Sequence, residues 1–302
     1  MIIYAVLSGR REKYIMLWTE ILSGQFEAAV EESKGVCGLV VGCIEHHGKH
    51  LPLGQDVYHA AGVAELAAKK EPIVLFPHMY FGEKTGAGEF LGTVMFSAQL
   101  RFDILKESCE EIARNGFKKI ILINGHGGNS AMLNNFARSV LAEKKDYMVL
   151  VYDVVKSWPK AQTMIDMCEG GQRDYFPELT DEDIDVLKDY VANHTTSGHG
   201  CLMETAITLG VRPDLVDMSK VNDVDGTNVR RLSHLSKAGF YTPFGWMADY
   251  PNSYSSDRHD RNNERIGRSV VKYAVDKMAE AFKLIKEDTA IEEYHKEWLA
   301  KQ

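Results

Sequence analysis

In VCGLVVGCIEHHGKHLPLGQD, residues 36–56, an uncharged, largely apolar run gives way to three histidines, a glutamate and an aspartate within thirteen residues. The continuous β-branched stretch 36–44 has the composition of a central parallel strand covered on both faces. The Ala-rich segment after it, 57–70, closes on two lysines as a helix C-terminus prefers. Moving outward, the alternation repeats. Residues 73–77 read as a short strand. Ser97 stands where an N-cap belongs for a helix that Gly116 closes. Residues 118–124 read as a third strand, 129–145 as a helix and 147–155 as a fourth strand. Strands alternating with helices of this length imply right-handed βαβ crossovers, hence an α/β fold: a three-layer α/β/α sandwich around a mostly parallel sheet. Residues 158–199 break the rhythm and read as an insertion with one amphipathic helix near the mouth of the site, its body at 158–190. Residues 239–263 are loop-like, and a long helix over 266–287 closes the pattern. With no repeat, linker or low-complexity tract, 1–302 reads as one domain.

Composition narrows the function. The chain has 302 residues, 45% hydrophobic and 26% charged, with a net charge of −8. That acidity argues against nucleic-acid binding, which needs a basic footprint. Five widely spaced cysteines without a CxxC pair suggest a reducing compartment rather than a disulfide framework. The start MIIYAVLSGRREKY lacks the charge-then-apolar order of a signal peptide, and no apolar run is long enough to span a bilayer. The expectation is a cytoplasmic protein with a small-molecule substrate, no nucleic acid and no membrane.

Reactive groups of parallel α/β sheets gather outside the carboxyl ends of the strands. Glu45 and His47, two residues apart at the end of the first strand, point to the same side of an extended backbone. Asp56 arrives at the start of the next helix, and His126 sits in NGHGGN at the end of the third strand. Four N/O donors of this kind suit Zn²⁺, Mn²⁺ or Fe²⁺, and two carboxylates with two imidazoles allow a bridged pair of ions. Taken singly, Asp56 equally fits a helix cap, NGHGGN a tight βα turn, and His50 a satisfied loop histidine. His46 should point away from Glu45 and His47.

The residues 45–56 resemble the first signature of the creatininase family, E-x-H-G-x-H-L-P-x-x-x-D, at every fixed position. Asn124, Gly125, His126 and Asn129 resemble its N-G-H-x-x-N element. His199 followed by Glu204-Thr205 resembles a third, 90–93 (FLGT) its F-P-G-T segment with Leu91 for Pro, and 248–251 its late G-D-P element. The resemblance spans about 45–268. It implies a single-domain α/β/α hydrolase with two divalent ions per chain and a homo-hexameric assembly. Carried over by position, Glu45 would hold one ion, His47 and His126 the other, with Asp56 bridging. Creatininase itself has a carboxylate two residues after the motif His, where this chain has Gly128; Glu204 is the expected fifth ligand, or else merely pairs with a cation. His199 is the expected proton shuttle, its plainer role being a backbone contact. Trp158, Trp246 and Tyr250 are candidate pocket aromatics, and His50 and Glu89 candidate substrate contacts. The family acts on C–N bonds of cyclic amides, formamides and guanidino compounds, in some members on a C–C bond of a cyclic polyol ketone, and in others on a small modified peptide. A metal-binding subunit without turnover should have damaged ligands, and this chain keeps all of them.

Overall fold

A computed structural model describes residues 15–84, 86–193, 198–252 and 259–302. The expectations for residues 1–14, Thr85, 194–197 and 253–258 lie outside the described residues. Five strands, β1 (Met16–Leu17), β2 (Val36–Val41), β3 (Val74–Met79), β4 (Lys119–Asn124) and β5 (Met148–Asp153), form one sheet in the order β1-β3-β2-β4-β5. Every neighbouring pair is parallel, and β2 and β4 run in register from Val36↔Lys119 to Val41↔Asn124.

Alternation along the central strands explains the three layers. Val36, Val40, Ile121 and Ile123 face one core, with α2 (Gln55–Lys70), α8 (Leu202–Val211) and α11 (Glu264–Glu287) packed over it. Cys37, Leu39, Val41, Ile120 and Leu122 face the other, covered by α1 (Phe26–Glu32), α3 (Ala98–Arg114) and α4 (Asn129–Ser139). Side chains of period two on a strand buried on both sides can serve two apolar layers at once, which is why these strands read as unbroken hydrophobic runs. Ser97 caps α3 as its position suggests, accepting from the Leu100 amide at 3.2 Å.

The remaining helices are α5 (Val154–Ser157), α6 (Ala161–Met167), α7 (Asp181–Asn193), α9 (Ser233–Lys237), α10 (Gly245–Asp249) and α12 (Ala290–Lys301). The segment expected to carry one amphipathic helix holds two, α6 and α7, because Gly171 at φ 85° breaks the helical path between them. It is part of the core. Met164, Ile165, Phe176, Ile184 and Leu187 are buried with α2 and α11, and the buried Asp183 takes Arg265 and Asn263 of the α11 start at 2.8 Å each. β1 and α12 have no forecast in the sequence. Among the described residues no helix is long and apolar enough to cross a membrane.

β2 feeds α2 and β3 on one side of itself, while β3 feeds α3 and β4 on the other. The carboxyl ends of β2 and β4 therefore flank the point where the winding reverses, where open α/β sheets leave a crevice.

Candidate metal centre

Four strand-end or helix-start segments converge there. Past β2 come Cys43, Glu45 and His47; past β4 comes His126; the first turn of α2 carries Asp56, and that of α8 carries Glu204. Asp56 does not cap its helix: Gly54 is the N-cap, and the Asp56 side chain turns inward while the helix start favours its negative charge. Its two oxygens divide. Oδ1 lies 3.3 Å from His47 Nε2, and Oδ2 lies 3.0 Å from His126 Nδ1. Glu45 Oε2 lies 3.3 Å from His126 Nδ1, and Glu204 Oε2 lies 3.8 Å from His47 Nε2. The resemblance groups His126 with His47; in the structure His126 stands with Glu45 and Asp56, while His47, which projects beyond Glu45 toward α8, stands with Asp56 and Glu204 and also with Glu45 and His199.

Close packing makes the convergence. A Cβ at Gly125 would fall 2.2 Å from the Asp56 carbonyl oxygen, so only glycine lets the end of β4 meet α2. A Cβ at Gly128 would fall 2.5 Å from His126 Nε2. Gly128 is thus the floor on which the His126 ring rests. Gly128→Ala should therefore displace His126 and weaken metal binding about 10–100-fold, as loss of a ligand's support does, which metal titration of the purified chain measures. Unchanged affinity would show that the ring is not seated by this contact.

Charge is concentrated and buried. Glu45, His47 and Asp56 are each 1% exposed. Burial alone would raise the Glu45 carboxyl, yet the facing imidazoles of His199, His126 and His47 and the Lys84 ammonium bring it down to about 2. Burial opposes a proton on His47, but Asp56, Glu204 and Glu45 outweigh it and lift the imidazole to about 10. Burial lifts Glu204 to about 7. His47 Nε2 and Asp56 Oδ1 are buried without a well-directed hydrogen bond. Unsatisfied donor atoms of mixed N/O type, aimed at one another in a charge-rich interior, fit divalent cations as ligands.

His199 stands over this cluster, its ring centroid 3.8 Å from that of His47. Nε2 donates to the His46 carbonyl at 2.6 Å, which fixes the tautomer and makes Nδ1 the basic nitrogen. Burial holds this imidazole down to about 3 and so neutral. Trp246 packs edge-on to His199 at 6.0 Å and stacks on Tyr250 at 4.4 Å. It also lines a cavity of about 510 Å³ with Asn228, Ser236, Phe240, Asp249 and Tyr250, which the metal-type residues themselves do not line.

Other candidates lie elsewhere. His50 is buried and bonded to Thr205 Oγ1 at 2.8 Å, tying the signature loop to α8. Trp158 packs edge-on against His59, whose Nε2 donates to the Gly125 carbonyl; both stand behind the cluster. Glu89 is exposed. His46 turns away as expected and stacks on Phe90. Sequence reasoning did not single out two residues at the centre. Lys84 Nζ lies 2.5 Å from Glu45 Oε1, and Cys43 Sγ lies 2.8 Å from Asp56 Oδ2. The loop carrying Lys84 is held by the Glu83 amide on Asn129 and by the Glu83–Arg101 ion pair. A signal was present for Cys43, two residues before Glu45 and hence on the same side of an extended backbone.

The profile of the family described as "Creatininase: Creatinine amidohydrolase" matches residues 19–282. The chain belongs to the creatininase family. The creatinine amidohydrolase of Pseudomonas putida is 27% identical over 218 residues, 68% of this chain and 75% of that protein. A mycofactocin precursor peptide peptidase of Mycobacterium ulcerans (strain Agy99) is 30% identical over 115 residues, 35% of this chain and 46% of that protein. Solved creatininase structures share the fold, among them a manganese form and a zinc–zinc form of a mutant. Each has a TM-score of 0.66 and 20% identity over 91% of this chain, and the alignment takes in 100% and 99% of the respective structures. This creatininase-family chain is a hydrolase, and its cluster of potential ligands supports a metal-dependent one.

Proposed function

We propose that the chain hydrolyses a small, cyclic amide or related C–N substrate at a dinuclear metal centre. The observation that carries this reading is the Asp56 carboxylate, with one oxygen in each of two donor clusters, Glu45–Asp56–His126 and His47–Asp56–Glu204. That creatininases of the same fold include a manganese form and a zinc–zinc form is in keeping with divalent ions here. Bound divalent ions supply a water acidic enough to attack near neutral pH and a Lewis acid for the substrate carbonyl. The remaining work falls to side chains. Neutral His199 takes the proton at Nδ1 and passes it to the leaving nitrogen, held in aim by its Nε2 bond to His46. The cavity beside Trp246 has the size of a small-molecule site and would hold the part of the substrate away from the reacting carbon. The family reading also carries a homo-oligomer, which sedimentation of the purified chain decides.

A second reading has its own observation. Lys84 places a buried ammonium against Glu45, beside His199 and facing the same carboxylate oxygen. Such a cation favours an oxygen-rich substrate, the cyclic polyol ketone of a ring-opening C–C hydrolase, over a cationic guanidino compound. The test of both is metal analysis of the purified chain joined to a hydrolysis panel of cyclic amides, formamides, guanidino compounds and keto-inositols, with Glu45→Ala as control. About two ions per chain, with turnover lost in Glu45→Ala, is the expected result; turnover untouched by chelation would overturn it. On whichever substrate hits, Lys84→Met should raise KM about 10–100-fold if the ammonium binds substrate oxygen, and Lys84→Arg should recover part of the loss. An unchanged KM in Lys84→Met would leave the polyol-ketone reading without its support.

A further inference from the structure

One residue at the centre has no part in the ligand set above. Cys43 Sγ lies 2.8 Å from Asp56 Oδ2 and 3.4 Å from Glu45 Oε2. The same two oxygens lie 3.0 and 3.3 Å from His126 Nδ1. One sulfur, one imidazole nitrogen and two carboxylate oxygens thus stand within 4.8 Å of one another, all on buried residues. A tetrahedral zinc-type ion, with bonds of about 2.0–2.3 Å, holds its donors about 3.3–3.6 Å apart. Three of the four contacts lie within a few tenths of an ångström of that spacing, and the fourth is shorter.

We propose that Cys43 is a ligand of the ion held by Glu45, Asp56 and His126. That position then has four protein donors and is closed, while His47, Asp56 and Glu204 leave a three-donor position open to water and substrate. The assignment rests on the dinuclear reading above and divides its labour: closed sites anchor and open ones react. A cysteine kept only to fill space turns its sulfur to apolar neighbours, as Cys37 and Cys109 do in the β2–α3 core. Cys43 instead turns its sulfur to two carboxylates. Its backbone is fixed as well, since a Cβ on the preceding Gly42 would fall 2.7 Å from the Val57 amide nitrogen. On coordination the S–H bond breaks, the sulfur keeps the electron pair for the ion, and the proton leaves to solvent. A thiolate in the set favours Zn²⁺, Co²⁺ and Cd²⁺ over Mn²⁺ at this position.

The test is a Co²⁺ titration of the metal-free full-length chain, followed by the visible d–d bands and the near-ultraviolet thiolate-to-cobalt charge-transfer band. Two equivalents should bind, with the charge-transfer band complete after one. Cys43→Ser should abolish that band and weaken the tighter equivalent at least about tenfold, whereas Cys201→Ser should keep both. Visible bands without a charge-transfer band in the wild type, or a charge-transfer band that survives Cys43→Ser, would overturn the assignment. A single equivalent that carries the band would overturn the dinuclear reading and leave the thiolate ligand standing. Should Cys43→Ser fail to fold, serine variants of the other four cysteines decide by elimination: loss of the band in any one of them rejects Cys43, and its survival in all four upholds it.

Discussion

Asp56→Ala is expected to strip both ions from the chain and to lower kcat/KM by about 10³-fold or more, roughly 4 kcal/mol of transition-state stabilisation. The size of the effect follows from geometry. Asp56 is the carboxylate that divides its oxygens between the two imidazoles, presenting Oδ1 to His47 and Oδ2 to His126. Its removal takes a donor from each and leaves Glu45 and Glu204 facing two imidazoles with no carboxylate between them. Glu204→Ala, by contrast, should cost one ion. Elemental analysis of the two variants separates these outcomes, with far-ultraviolet circular dichroism to show that α2 still forms. Two ions retained in Asp56→Ala would end the bridging assignment.

Metal removal should have an effect on stability that grows with pH. In the ion-free chain His47 titrates near 10 instead of near 6.5, so the stability it contributes is fully present below about 6.5 and is lost as pH climbs toward 10. Glu204, near 7 instead of 4.5, is best tolerated when protonated, and it costs stability as pH passes from about 4.5 to 7. Both trends make the ion-free fold weaker in alkali. The loaded fold runs the other way, because both groups bind a cation only without their protons, and affinity rises with pH. The gap in Tm between metal-replete and chelator-treated protein should therefore widen from pH 5.5 to 8.5, by on the order of 5 °C, given roughly 2–4 °C per kcal/mol for a chain of this size. Differential scanning fluorimetry across that range measures it. A gap that is constant or narrows would mean that these protons are not the ones the metal displaces.

Much of this arrangement is legible in the sequence, for reasons particular to each part. β2 and β4 read clearly because burial on both faces removes the polar alternation that blurs most strands, and α3 reads clearly from Ser97 and Gly116. β1 does not, since two residues carry no periodicity, and its strand character comes wholly from pairing with β3. The 158–190 segment reads as carrying one helix and holds two, because Gly170 and Gly171 look like an end of structure although the chain is helical on both sides of them. At the site, spacing brought Glu45 and His47 to one side, strand-end and helix-start placement added His126 and Asp56, and the family resemblance added Glu204. What spacing cannot carry is which donor faces which, since that depends on β4 lying beside β2 and α8 folding back over His47. Lys84 and Cys43 escaped for opposite reasons. Lys84 reaches the centre only through a loop braced by Asn129 and Arg101, a long-range fact. Cys43 lies inside the apolar run, whose hydrophobic pattern masks its spacing to Glu45.

The parallel pairing of β2 with β4 has a temporal consequence. Between Glu45 and His126 the chain must lay down α2, β3 and α3, about eighty residues, before the second half of the donor set exists. At the usual pace of translation, about 5–20 residues per second, a nascent chain spends several seconds holding Cys43, Glu45, His47 and Asp56 without their partner. Only when β4 slides in beside β2 does the loop-closure entropy get repaid, all at once, by sheet hydrogen bonds and apolar contact. A cation held at this centre would therefore draw on donors from both sides of the β2–β4 pairing, and would tie together two strand ends that are made far apart in time.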